Sequence, residues 1–190
     1  MDSTTIRIHS FLEASLSNGP GRRAVLWVQG CTLGCPDCFN PETYLNRGGE
    51  VVPISSLVHR IQNLSGSLEG ITISGGEPLQ QRRPLESLLK QVRSSTSLSV
   101  ILFSGYTWDE INRIPGIHTL LTLVDILIAG RYDSNRRLAQ GLIGSANKTV
   151  HFLSDRYSWA DLSRTAEAEV MIDPGGEIIL SGIDPLRWSA

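Results

Sequence analysis

Apolar residues fall into short β-type runs separated by amphipathic stretches, the alternation expected of a mainly parallel α/β sheet. Ile6 to His9 is a modest opening run, and Ala24 to Gln29 (Ala-Val-Leu-Trp-Val-Gln) is a stronger one that leads directly into a cysteine-bearing loop. A helix is predicted over Ile54 to Leu64, where Leu57, Ile61 and Leu64 share one face and Pro53 and Ser55 stand near the start. Gly70 to Ser74 reads as a strand running into Gly75-Gly76-Glu77-Pro78, and Pro84 to Val92 as a helix with Pro84 in its first turn. Leu98 to Phe103 is the next strand, Thr107 to Arg113 a short helix, and Asp125 to Ala129 a further strand.

Beyond Gly130 the pattern weakens. Arg131 to Lys148 is polar and predicts an ordered loop over a site, and Trp159 to Arg164 a short helix. Ala168 to Ile172 and Glu177 to Ser181 flank Asp173-Pro174-Gly175-Gly176, the signature of a C-terminal β-hairpin. With 190 residues and 41% hydrophobic content the chain suits one compact domain, 1–190, with a core over about 18–153 and an extension over 154–190. A formal net charge of −2 argues against a broad phosphate-binding face, so neither nucleic acid nor an anionic membrane is expected as a partner. Met1 to Ser10 lacks a signal-type apolar stretch, and no run approaches about 18 apolar residues; the expectation is a cytoplasmic protein.

The organisation bears on function because ligands in open α/β sheets and barrels bind at the carboxyl ends of the strands. The cysteine loop, Gly75-Gly76-Glu77-Pro78, Ser104-Gly105-Tyr106 and Gly130-Arg131 each follow a predicted strand, so all four are expected on one rim.

All three cysteines lie in Cys31-Thr-Leu-Gly-Cys35-Pro-Asp-Cys38, a C-x3-C-x2-C spacing. An odd, tightly packed set cannot make a disulfide framework and suits a reducing compartment. A structural zinc site asks for four protein ligands. Here a fourth cysteine is absent, and His9, His59, His118 and His151 are scattered. Thiolates suit iron–sulfur clusters, and three of them on a 4Fe-4S cluster leave one iron without a protein ligand. The amino and carboxylate groups of S-adenosylmethionine (SAM) can chelate that iron. One electron from the cluster can then split the sulfonium into methionine and a 5′-deoxyadenosyl radical. On this reading Cys31, Cys35 and Cys38 are the metal ligands and the catalytic residues.

Other candidates gather around this motif. Gly75 and Gly76 allow a close backbone approach to a ligand, and Glu77 can accept a hydrogen bond from its ammonium group. Asp37, Phe39 and Ser104 lie beside the cluster or just past a strand, with Phe39 placed to pack on adenine and Tyr106 well placed on the same rim; Asn147 is a candidate for a ribose hydroxyl. Asp125, at a strand start, is read as structural, as are Trp27, Trp108 and the four histidines. Gly19-Pro20-Gly21-Arg22-Arg23 reads as a turn whose arginines can meet a carboxylate at the rim or on a partner.

Taken in order, Asn18-Gly-Pro-Gly21, Val28-Gln-Gly30-Cys31 to Cys38-Phe39-Asn40-Pro-Glu-Thr43, Ser74-Gly-Gly-Glu-Pro78, Ser104-Gly-Tyr-Thr-Trp108, Asp125 to Gly130 and Gly144-Ser-Ala-Asn147 resemble the activating proteins of anaerobic ribonucleoside-triphosphate reductase, glycyl-radical activases of the radical SAM superfamily. The resemblance implies a partial, open (β/α) barrel with a mainly parallel sheet. It also implies one 4Fe-4S cluster, with SAM contacts around Cys38-Phe39 and Gly75-Gly76-Glu77. Its implied partner is a large reductase subunit carrying a glycine whose α-hydrogen is removed, and its implied reductant is flavodoxin-like. The chain departs from the pattern at Asp37, where many radical SAM enzymes carry an aromatic, and at Ala129, often acidic in the family. It also departs at Lys148, where the family usually has Gln. Two other readings fit the residues: a radical SAM enzyme acting on a small molecule or peptide, and a non-catalytic zinc or iron–sulfur module.

Overall fold

A computed structural model describes residues 4–172 and 175–183. The chain opens with β1 (Thr5–Ser15) and β2 (Arg23–Val28), then β3 (Glu50–Pro53), α1 (Ile54–Leu64), β4 (Gly70–Gly75), α2 (Arg82–Ser95), β5 (Ser99–Ser104), α3 (Trp108–Asn112), α4 (Ile117–Leu121) and β6 (Ile126–Ala129). It continues through β7 (Arg137–Gln140), β8 (Ile143–Ser145), β9 (Thr149–Phe152), α5 (Trp159–Leu162), β10 (Ala168–Ile172) and β11 (Ile178–Gly182).

Seven strands form one sheet in the order β3-β1-β2-β4-β5-β6-β9. The four central strands β2, β4, β5 and β6 run parallel, whereas β1, β3 and β9 join antiparallel at the flanks. The fold is therefore mixed α/β with a large, mostly parallel sheet, and β10 and β11 make the expected C-terminal hairpin. Asp173 and Pro174 of the hairpin turn lie outside the described residues.

Alternation along the central strands sorts the core into two layers. Leu26, Ile73, Val100, Leu102 and Leu127 face the helices, where Leu57, Ile61, Leu85 and Leu88 complete the main cluster. Ile101, Ile126 and Ile128 point the other way and meet Leu142 and Leu162 in a smaller cluster. The face opposite the helices leaves room toward the carboxyl ends of the strands.

The amino ends of the parallel strands are closed by Arg23, which is fully buried. Its register partner is Gly70, whose own partner is Ser99, so the guanidinium reaches across three strands. It donates to Thr72 Oγ1 at 2.9 Å, Ser99 Oγ at 3.0 Å and the Ile71 carbonyl at 2.8 Å. The expectation that this arginine serves a carboxylate at the rim is corrected: it lies at the opposite end of the strands, and hydroxyls and carbonyls satisfy it.

Other differences have local causes. The opening strand is longer than the predicted Ile6–His9 because register shifts between Ile8 and Ser10 and between Leu12 and Ser15 break its alternation. Arg131 to Lys148 holds the short hairpin β7–β8, and the edge strand β9 follows it. Helix α2 starts two residues before Pro84, which sits in the first turn where a backbone N–H has no helical acceptor. Asp125 is structural as expected: it accepts from the Val100 N–H at 2.7 Å and Ser154 Oγ at 2.7 Å, and pairs with Arg93 at 3.1 Å. Among the described residues no helix is long and apolar enough to cross a membrane.

Candidate cluster and cofactor site

The carboxyl ends of the parallel strands are level, with Val28 opposite Gly75 and Ser104 opposite Ala129. A cavity of about 390 Å³ opens there, within the range of about 300–1,000 Å³ usual for small-molecule and cofactor sites. Cys31, Cys35, Cys38 and Phe39 form one side of it, Ser74, Gly75 and Gly76 the floor, and Phe103, Ser104 and Gly105 the next side. Three of the four segments expected on one rim thus line a common cavity. The fourth, Gly130-Arg131, stands behind it: the Gly130 carbonyl accepts from Lys148 Nζ, and Arg131 donates to both carboxylate oxygens of Glu110 at 2.7 and 3.0 Å.

The cysteine loop is held from several directions. The Gly30 and Cys31 N–H groups donate to the Thr43 and Tyr44 carbonyls at 2.8 and 3.1 Å, and Tyr44 Oη donates to the Cys35 carbonyl at 2.8 Å. Gln29 Nε2 donates to the Leu45 carbonyl at 2.8 Å, while the Asn40 N–H points at Cys38 Sγ at 3.5 Å. Burial pushes the Cys31 thiol up, and burial beside the three cysteines does the same to the Tyr44 phenol.

All three thiols are half-buried and free. They are not drawn to a point: among the described residues no three His, Cys, Asp or Glu side chains are close enough to hold a single ion. A 4Fe-4S cluster does not need that convergence, because each thiolate binds a different iron. Three thiols facing one cavity, with no fourth cysteine in the chain, fit a cluster that keeps one iron open.

The glycine pair works differently from expectation. Gly75 has φ 103°, and a Cβ there would lie 2.5 Å from Val28 N and O. A Cβ on Gly76 would strike the Gly30 carbonyl. The close approach is thus between backbones: the Gly76 N–H donates to Val28 O at 2.9 Å and the Glu77 N–H to Gly30 O at 2.9 Å. The pair presses the end of β4 against the start of the cysteine loop and still lines the cavity.

Glu77, expected to accept from a ligand's ammonium group, braces the site internally. It is fully buried and does not line the cavity. Its Oε1 accepts from the Leu79 N–H at 2.9 Å and Ser104 Oγ at 3.0 Å, and its Oε2 from the Gly105 N–H at 2.7 Å. The carboxyl ties the end of β4 to the end of β5. Burial pushes its pKa up to about 7 against these hydrogen bonds.

The remaining candidates divide. Phe39 and Ser104 line the cavity, with Phe39 edge-on to Tyr132 at 6.1 Å. Asp37 is exposed, has φ 52° and accepts from Ser134 Oγ at 2.9 Å, so its side chain is spent on a surface turn. Asn147 does not line the cavity; its Nδ2 donates to the Arg131 carbonyl at 2.8 Å, and its buried Oδ1 has no partner. Tyr106 does not line it either, and its Oη accepts from Gln80 Nε2 at 3.2 Å. Trp108 stacks on His151 with centroids 4.2 Å apart, as packing.

Sequence reasoning missed Trp27, Ser74, His9, Asn18 and Lys148, all of which line the cavity. The alternation of β2 carried a signal for Trp27, which points away from the face used by Leu26 and Val28. It also missed that Leu180, Gly182 and Ile183 of the C-terminal hairpin supply part of the wall. Asn18 Nδ2 donates to Ser181 Oγ at 2.7 Å, and Ser15 Oγ to Glu169 Oε2 at 2.7 Å, docking the hairpin on the chain between β1 and β2.

Residues 17–151 match the family described as 4Fe-4S single cluster domain. The chain is similar to the anaerobic ribonucleoside-triphosphate reductase-activating protein of Enterobacteria phage T4, with 32% identity over 137 residues, covering 70% of this chain and 85% of that protein. The protein of the same name from Escherichia coli K12 is 27% identical over 153 residues, covering 76% and 97%. The pyruvate formate-lyase-activating enzyme of Clostridium pasteurianum is 35% identical over 124 residues, covering 63% and 52%.

Proposed function

The chain belongs to the 4Fe-4S single cluster domain family, and on that premise we propose that it is a radical SAM activase that generates a glycyl radical on an anaerobic ribonucleotide reductase. The observation that carries this reading is the meeting of three free thiols, a glycine-floored cavity and no fourth cysteine at the carboxyl ends of a parallel sheet. When bound, the cluster and SAM supply a one-electron cleavage that yields methionine and a 5′-deoxyadenosyl radical. The protein's own residues supply position and shelter.

Cys31, Cys35 and Cys38 would hold three irons of the cluster, and the hydrogen bond from Tyr44 to the Cys35 carbonyl fixes the loop that bears them. Gly75 and Gly76 let the end of β4 press against Val28 and Gly30, which sets the cysteine loop beside the cavity they line. Glu77 binds the cysteine-loop side to the Ser104-Gly105 side from behind. Phe39, Trp27 and Phe103 exclude water with apolar surface, and Ser74 offers a hydroxyl to the polar end of the cofactor, while the Ser104 hydroxyl is held by Glu77 and the Tyr106 N–H. Asn147, with an open buried acceptor, stays the candidate for a ribose hydroxyl.

We read the sheet as the wall of a partial (β/α) barrel and residues 1–190 as one domain, with the hairpin as part of the site wall. A flavodoxin-like protein in the cytoplasm is the proposed electron donor. The partner assignment rests on similarity to reductase-activating proteins over most of their length. To test it, the protein is loaded anaerobically with iron and sulfide, then supplied with reductant, SAM and the large subunit of a candidate reductase. A glycyl-radical doublet in the EPR spectrum is expected. Its absence while SAM is being cleaved rejects the reductase as substrate.

A further inference from the structure

Lys148 is a cation built into the cavity wall. Among the described residues it is the one lysine or arginine lining the cavity, and it makes no ion pair with a carboxylate. Its position is fixed from both ends of the side chain. The backbone turn at residues 145–148 closes through the Lys148 N–H and Ser145 O at 3.1 Å, and Asn147 staples that turn to the Arg131 carbonyl at 2.8 Å. The stem lies close along Gly130, where a Cβ would come within 3.3 Å of Lys148 Cα, and Nζ donates to the Gly130 carbonyl.

A half-buried ammonium without a carboxylate partner is costly unless an anion shares its surroundings. Burial lowers its proton affinity, while Cys35, Glu77 and Cys38 raise it; two of these three groups are cluster ligands. The site proposed above, on which this inference rests, brings the missing negative charge, because a cluster with three thiolates is anionic and becomes more so on reduction.

We infer that Lys148 is a positioning charge that makes the cluster easier to reduce. The step it favours is uptake of one electron from a low-potential one-electron donor, which is itself oxidised by one electron. No bond forms or breaks, and Lys148 keeps its proton. Net charge near a cluster is one of the quantities that set its potential. A unit charge acting across a partly desolvated wall is worth about tenfold in the reduction equilibrium.

The test is an anaerobic potentiometric titration of the loaded full-length protein without SAM, read by the EPR signal of the reduced cluster. Lys148→Gln is expected to take the midpoint lower by about 59 mV, the one-electron equivalent of tenfold, and Lys148→Arg to stay near wild type. A loaded Lys148→Gln protein that titrates with wild type overturns the inference and leaves the radical SAM reading intact. A wild-type chain that takes up no cluster overturns both. If Lys148→Gln and Lys148→Met lose the cluster while Lys148→Arg keeps it, the charge requirement stands; if all three lose it, the position matters for shape and the inference falls.

Discussion

Replacing Glu77 with Gln separates its bracing role from a role in ligand binding. Three donors converge on two carboxyl oxygens: the Leu79 N–H and Ser104 Oγ on Oε1, and the Gly105 N–H on Oε2. A protonated carboxyl satisfies all three, since the Ser104 hydroxyl can turn to accept. An amide cannot, because its NH2 must face either the Leu79 or the Gly105 N–H, and one buried donor loses its acceptor. That costs about 1–3 kcal/mol. Burial raises the Glu77 pKa from 4.5 to about 7, so the folded chain holds this proton more tightly than the unfolded chain. Stability from this group is complete below the unfolded value and is lost as pH rises through the folded one. At about 1.36 kcal/mol per pH unit across that window, the wild type loses about 3 kcal/mol that Glu77→Gln does not lose. The substitution should therefore destabilise at pH 5 and approach neutrality, or stabilise, at pH 8. Urea unfolding of the reduced, metal-free chain at both pH values measures this. An equal cost at the two pH values would refute the reasoning, as would no cost at pH 5.

Gly76→Ala is expected to cost about 1–3 kcal/mol by overpacking, because its Cβ meets the Gly30 backbone, which cannot swing aside; a lower urea midpoint with poorer cluster loading checks it. Arg23→Met should cost about 3 kcal/mol or more through orphaned acceptors at Thr72, Ser99 and Ile71. SAM turnover per loaded cluster should be unchanged, since Arg23 lies at the far end of the strands. Glu110→Gln should cost less than about 1 kcal/mol, because Glu110 and Arg131 are well exposed. Hydrogen bonding to Arg131 lowers the Glu110 pKa from 4.5 to about 2, so this small gain is held above 4.5 and fades as pH falls through 2, the opposite sense to Glu77.

The parallel centre of the sheet was legible because β2, β4, β5 and β6 are near-continuous apolar runs, each punctuated by a glycine or cysteine loop at its carboxyl end. Helix α1 was equally plain, since Leu57 and Ile61 repeat at helical spacing. The flanks were not: β3 and β9 are short edge strands with mixed exposure, and β7 and β8 span only four and three residues, too short for a period to show. At the site, the cysteines could be placed because their spacing is local. The bracing role of Glu77 was not legible because its partners at Ser104 and Gly105 are 27 and 28 residues away, so sequence showed a carboxylate and not the donors that occupy it. Lys148 and the hairpin wall depend on packing between distant segments, which no local pattern records.

The measurement closest to the central claim is release of 5′-deoxyadenosine from SAM by the anaerobically loaded, reduced protein, compared with single alanine variants at Cys31, Cys35 and Cys38. The account predicts release by the wild type, and loss of both release and bound iron in each variant. A wild type that releases none while carrying its full complement of iron would contradict it, as would a thiol-to-alanine variant that retains both iron and release.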